Sequence, residues 1–261
     1  MAPDTLSLEG KVAIVTGSGK ENGIGAGIAS ALARNGAKVV INYVSDTTGP
    51  RAVNVAAKIR EQGGEAIVVQ ADVSTQEGTA RIVKETLETF GSDKIDILVN
   101  NAAVGAFGPA TKASKEDIER TFTANVYAPL FMIQATVPVM PQGGRIINIG
   151  SIASKLGVAP IPLYVASKAA QDALTFAMAM ELGREYGITI NSIAPGPVPT
   201  DGMPKGPIAD AIHNNLVPMT RAAERVGTVE EIADAVLLIA SEKSRWITGQ
   251  FISVSGGITG G

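Results

Sequence analysis

The sequence predicts an α/β fold: a doubly wound, parallel, seven-stranded sheet with helices on both faces. Runs rich in Val and Ile alternate with amphipathic stretches almost from end to end. The runs are nearly continuous in apolar residues, as strands covered on both faces must be. A glycine-rich turn also joins the first run to the first helical stretch. Strands are expected at 12–16, 38–43, 66–70, 95–100, 145–150, 188–194 and 250–254. Helices are expected near 24–34, 50–62, 75–90, 115–137, 163–186 and 228–241, giving right-handed strand–helix–strand crossovers. Capping-box spacing marks two helix starts, Ser74 with Glu77 and Thr228 with Glu231. No linker or internal repeat divides the chain, so residues 1–261 are expected to form one domain. One stretch, 195–225, is irregular and rich in proline. Loops of that length in a compact domain are usually functional, so it reads as a substrate lid, with a surface excursion as the alternative.

At 45% hydrophobic and 18% charged, the 261 residues can bury a sizeable core. The 22 basic and 25 acidic residues form no long block of one sign, which argues against nucleic acid or an anionic membrane as partner. No cysteine is present, which excludes a disulfide framework, a thiolate nucleophile and a thiolate-bound metal. The single histidine, His213, is too little for a multi-His metal site. The first ten residues are polar and lack a signal-peptide pattern, and the apolar runs are too short to span a membrane. The expectation is a cytoplasmic protein acting on a small molecule.

The first strand passes into Thr16-Gly17-Ser18-Gly19-Lys20-Glu21-Asn22-Gly23-Ile24-Gly25. Glycines let backbone turn tightly against a phosphate, and the following helix offers free N–H groups at its positive dipole end. The turn reads as a Rossmann-type dinucleotide site, with Gly17, Ser18, Lys20, Asn22, Gly23 and Ile24 as candidate contacts. A plain strand-to-helix turn is the alternative. An NAD site usually ends its second strand with a carboxylate for the ribose 2′-hydroxyl. Here the strand ends Asn42-Tyr43-Val44-Ser45, and the first acid is Asp46. With the Lys20 ammonium in the turn, this points to NADP(H), with Asn42, Tyr43 and Ser45 beside the adenosine. Asp46 folding back, or a solvated Lys20, would undo that reading. Asp72, next to Val73, either hydrogen-bonds the adenine amine or caps the helix that follows.

Tyr164-Val-Ala-Ser-Lys168 opens the helix after the fifth strand, and the i, i+4 spacing puts phenol and ammonium on one face. A neighbouring cation should lower the phenol's pKa and make Tyr164 a usable proton donor. Ser151 closes the fifth strand, so its hydroxyl is expected at the C-terminal edge of the sheet, where ligands bind in such folds.

Over essentially its whole length the chain resembles the short-chain dehydrogenase/reductases. The motifs are Thr16-Gly17 with Gly23-Ile24-Gly25, Asn100-Asn101-Ala102-Ala103, Asn125, Ser151, Tyr164-x-x-x-Lys168 and Pro195-Gly196-Pro197-Val198-Pro199-Thr200. Within the family it resembles fungal hydroxynaphthalene and versicolorin reductases, and more distantly 3-oxoacyl-carrier-protein reductases. The resemblance implies a catalytic set of Asn125, Ser151, Tyr164 and Lys168. Tyr164 would protonate a carbonyl oxygen, Ser151 would hydrogen-bond it, Lys168 would bind the nicotinamide ribose, and Asn125 would hold a kinked helix and a water. It also implies cofactor contacts from Asn100, Ala102, Ile149, Pro195, Gly196, Val198 and Thr200, and a homotetramer built through the helices at 115–137 and 163–186 and the last strand. Two departures stand out. Five residues, Ser18 to Asn22, separate Gly17 from Gly23, which makes the turn two longer than the family's. Ala103 stands where the family usually has Gly.

Val104, Phe107, Ile152, Lys155, Leu156, Val158 and the Met and Pro residues of 195–225 are the candidate substrate wall. Such a wall favours a bulky, apolar, polycyclic ketone or imine of secondary metabolism. Three functions stay open: NADPH-dependent carbonyl reduction, a cyclase or isomerase using the same pocket, and an idle NADP(H)-binding partner protein. The last would have no need of all four catalytic positions.

Overall fold

The computed structural model of the chain describes residues 5–202 and 206–259. Met203 and the side chains of Ile208, Ile212 and His213 lie outside what is described. Seven strands, β1 (Val12–Val15), β2 (Lys38–Tyr43), β3 (Glu65–Gln70), β4 (Ile97–Asn100), β5 (Arg145–Ile149), β6 (Thr189–Pro195) and β7 (Phe251–Val254), form one sheet. Its order is β3-β2-β1-β4-β5-β6-β7, and every pairing is parallel.

Alternation along the strands builds two cores. Ala13 and Val15 of β1 face a layer formed with α1 (Ile24–Arg34), α2 (Gly49–Glu61) and α9 (Val229–Ala240). Val12 and Ile14 face the opposite layer, with α3 (Gln76–Phe90) and α5 (Ala128–Thr136). Strands lined on both sides in this way read as continuous Val/Ile runs.

Four local features differ from the sequence expectation. The helix expected over 115–137 is divided into α4 (Lys115–Phe122), a π-helical turn at Thr123–Tyr127, and α5. Pro129 has no N–H to give the carbonyl of Asn125, so the α-helical pattern cannot run through unbroken. The helix expected over 163–186 is α7 (Pro162–Glu181) closed by a second π turn, Leu182–Tyr186. The α3 helix is capped one residue later than expected: Thr75, not Ser74, accepts the N–H of Gly78. Two short helices were not foreseen, α6 (Ala153–Leu156) and α8 (Pro207–Leu216), the latter inside the stretch expected to be irregular. Among the described residues no helix is long and apolar enough to cross a membrane.

The strand order reverses between β1 and β4, and crevices open at the C-terminal ends of strands at such a point.

Candidate active site

The turn after β1 is held from both sides. Thr16 Oγ1 accepts the N–H groups of Asn101 and Ala102, both at 3.0 Å, and Asn101 Nδ2 donates to the carbonyls of Thr16 and Gly17. Gly17 sits at φ +62°, and a Cβ there would lie 2.8 Å from Ala102 Cα. Backbone therefore packs on backbone, which only glycine permits. On the other side, Asn42 Oδ1 accepts the N–H of Gly17, while Asn42 Nδ2 donates to the carbonyls of Val69 and Ala71. The N-terminus of α1 has no side-chain cap, and Gly23, Ile24 and Gly25 line the cleft beside it. Free N–H groups at a helix start make an anion-binding end.

The cleft has a volume of about 790 Å³ and runs over the ends of β1, β2, β4, β5 and β6. Gly17, Lys20, Asn42, Tyr43, Asp72 and Val73 line one end of it. Ile149, Ser151, Tyr164 and Lys168 line the other, with Pro195, Gly196, Val198 and Thr200 facing them. Ala102 and Ala103 lie between.

Five of the expected site residues do not line the cleft. Ser18 is fully buried, its hydroxyl donating to the Val15 carbonyl at 2.7 Å and accepting the Asn42 N–H. Asn22 hydrogen-bonds Asp201, and Ser45 pairs with Thr47. Asn100 bonds Asn148 at 2.9 Å behind the cleft, leaving its own Oδ1 without a partner. Asn125 lies inside the π turn. Its amide bonds the N–H and the carbonyl of Val104, and it donates to Ser167 Oγ at 3.0 Å. It thereby fixes the loop after β4 to α7.

At the chemical end, Lys168 is buried in α7 with its ammonium 5.9 Å from the centre of the Tyr164 ring. The ammonium donates to the Ile149 carbonyl at 2.7 Å and to Gln171 Oε1 at 3.1 Å. Burial pulls its pKa from 10.5 to about 8, against the opposing pull of the Asp172 carboxylate. The Ser151 hydroxyl hydrogen-bonds the Tyr164 phenol. The expected acidification of that phenol is not what the geometry gives. Burial raises its pKa, Ser151 lowers it, and Asp172 raises it further, for a net rise. Desolvation of the phenolate and the Asp172 charge together outweigh the Ser151 hydrogen bond, so the phenol holds its proton at neutral pH.

The end of the cleft expected to take the adenosine has an ion-pair cluster that the sequence did not announce. Arg51, near the start of α2, binds Glu21 of the lengthened turn at 2.5 Å and also Asp201, which follows β6. Asp46 is turned onto Gln70 Nε2 at 2.6 Å. Asp72 accepts the Ser74 N–H, so it shapes a turn rather than capping α3, whose cap is Thr75.

The expected substrate wall also differs from what lines the cleft. Val104 and Phe107 line the cleft as expected. Ile152 and Leu156 instead pack with Ala194 and Ile258, and Lys155 sits over the Phe251 ring. In their place stand Ala106, Ile161 and one face of α4 and its π turn: Glu119, Arg120, Thr123 and Ala124. Their spacing before Asn125, repeating every four residues, was the available signal.

Fold and site together define an α/β oxidoreductase scaffold of the dinucleotide-binding type. The family described as enoyl-(acyl carrier protein) reductase matches residues 17–259. The chain is 41% identical over 256 residues to short-chain dehydrogenase/reductase FrzI of Cladobotryum sp, covering 97% of each. It is 36% identical to versicolorin reductase 1 of Aspergillus parasiticus, covering 97% of this chain and 98% of that one. The crystal structure of landomycin C-6 ketoreductase LanV, with bound NADP and rabelomycin, superposes with a TM-score of 0.83 at 35% identity, covering 97% of both chains. The chain belongs to the short-chain dehydrogenase/reductase family of oxidoreductases.

Proposed function

We propose that the chain is an NADPH-dependent reductase that delivers hydride to the carbonyl or imine carbon of a bulky, apolar small molecule. The observation that carries this reading is the meeting of Tyr164, Ser151 and Lys168 in the cleft that also holds the glycine turn. The residues present fit a dinucleotide: Gly17 leaves no room for a Cβ, and the α1 N–H groups have no side-chain cap. Gly17, Gly19, Lys20, Gly23 and Ile24 would hold the phosphates, Asp72 and Val73 the adenine, and Lys168 the nicotinamide ribose. Ile149, Pro195, Gly196, Val198 and Thr200 would enclose the nicotinamide end. Bound NADPH supplies the hydride. Tyr164 Oη gives its proton to the substrate oxygen, and Ser151 Oγ hydrogen-bonds the same oxygen as its charge grows. The raised phenol pKa keeps that proton available at neutral pH.

NADPH is favoured over NADH because no carboxylate of β2's end reaches the cleft: Asp46 is held by Gln70, while Lys20 lines the phosphate end. The names of versicolorin reductase 1 and of the ketoreductase LanV support carbonyl reduction in secondary metabolism, and Val104, Ala106, Phe107 and Ile161 supply an apolar wall. The segment after β6, over about 195–225, would act as the lid. An exposed stripe on α7 (Ala173, Phe176, Ala177, Met180) supports assembly, here taken as a homotetramer. The lack of cysteine suits a reducing cytoplasm.

Loss of NADPH absorbance with a panel of polycyclic ketones tests the reaction. Tyr164→Phe should lower kcat by about 10²–10⁴-fold with cofactor affinity kept. A variant with full turnover would remove the proposed acid. Side-by-side titrations should show NADPH binding more tightly than NADH.

A further inference from the structure

A buried carboxylate behind the site has no part in the reaction as described above. Asp172 follows Lys168 by one turn of α7, so the two side chains share a face. It is nine-tenths buried. Both of its oxygens are engaged: Oδ1 accepts from Ser192 Oγ of β6 at 2.7 Å, and Oδ2 accepts from Ser154 Oγ of α6 at 2.7 Å. Ser154 Oγ also stands 2.9 Å from the Ser151 carbonyl. A Cβ on Gly150 would fall 3.1 Å from Asp172 Oδ1 and 2.5 Å from Ser192 Oγ, so the carboxylate is pressed against the backbone between Ile149 and Ser151. Those two neighbours are the residue whose carbonyl takes the Lys168 ammonium and the residue whose hydroxyl meets the phenol.

A buried charge is costly unless it is paired or fully hydrogen-bonded. Two serine hydroxyls from two other elements satisfy this one, and the structure places it where its field reaches both working groups. We propose that Asp172 is a positioning residue that keeps the Lys168 ammonium and the Tyr164 phenol protonated together and holds the Ser151 turn through Ser154. This rests on the reductase reading above and adds to it the group that sets the site's alkaline limit. Both electrostatic effects have the same sign. The carboxylate favours the charged form of Lys168 and disfavours the charged form of Tyr164. Among the described residues the titratable groups that feel Asp172 are Tyr164 and Lys168 on its own helix; Ser154 on α6 and Ser192 on β6, which touch it, are neutral.

The test is Asp172→Asn, with Asp172→Ser as a second neutral replacement should the first fail to fold, and Asp172→Glu as the charge-keeping control. In carbonyl reduction by NADPH, the alkaline fall of kcat should move down by about one pH unit in the neutral variants. At that alkaline end this is about a tenfold loss against wild type, while Asp172→Glu should restore the limb. A purely structural role predicts a profile lowered equally at all pH values, and that result, or an unmoved limb, overturns the proposal. The ¹⁵N resonance of Lys168 Nζ, assigned by its loss in Lys168→Met, gives a readout that needs no turnover. Its midpoint should lie lower in Asp172→Asn than in wild type. If wild type reduces no carbonyl, the reductase reading falls, while the resonance still decides the role of Asp172: an unmoved midpoint overturns it.

Discussion

Position 17 is where one atom decides the end of the cleft proposed to hold the cofactor. With φ at +62° and Ala102 Cα 2.8 Å from where a Cβ would stand, Gly17→Ala meets strain and a clash at once. The strain alone is worth about 1–3 kcal/mol. The expected outcome is weaker NADPH binding in a fluorescence titration, with a lower melting temperature in the same preparation. At the chemical end, the Tyr164–Lys168 pair was legible because helical spacing is written directly in sequence. What surrounds the pair was not. The rise in the phenol's pKa comes from burial under other elements, and Lys168 is anchored by a carbonyl of β5, nineteen residues away. Asn100, Asn125 and Ser18 were visible as polar residues in the right places, yet their partners lie on other elements, so sequence alone could not tell lining from bracing.

Among the elements, α9 starts as its sequence announces. Thr228 accepts the Glu231 N–H, and Glu231 returns a bond to the Thr228 N–H, a complete capping box. Thr228→Ala should cost about 1 kcal/mol, read as a fall in melting temperature of roughly 2–4 °C. Glu231 also takes two bonds from Arg225, at 2.9 and 2.6 Å. That guanidinium first, and the Thr228 amide second, hold its pKa down from 4.5 to about 2. A carboxylate with a lowered pKa stabilises the fold above pH 4.5 and loses that contribution as the pH falls toward 2. Both partners are well exposed, so solvent screens the pair and the effect is small. Urea midpoints followed over that range should fall less steeply in Glu231→Gln than in wild type. The division of the 115–137 helix could have been read from Pro129, whose missing N–H forbids a regular turn at Asn125. The α8 helix was hidden by the prolines around it, although Pro207 at its first position is itself a start signal.

For the molecule as a whole, the seven-stranded sheet was the most legible feature, because strands buried on both faces leave an unmistakable apolar run. The proposed assembly surface was the least legible, since an exposed stripe and a packed one carry the same residues. Phe176 is 72% exposed and Met180 64%, large for apolar side chains on a single chain. Phe176→Glu should therefore shift the sedimentation profile to smaller species without changing the far-ultraviolet circular dichroism. The strand order has a last consequence, for how the chain is born. After the one long step from β3 at one edge back to β4 beside β1, every later strand is laid down next to its predecessor. A chain leaving the ribosome can thus extend its sheet outward in a single direction as synthesis proceeds. The glycine-turn end of the cleft is framed early, by β1, β2 and β4, whereas Tyr164 on α7, the proposed proton donor, and the closing strand β7 arrive late. A nascent chain halted before α7 would already hold the glycine turn while lacking the proposed proton donor, Tyr164.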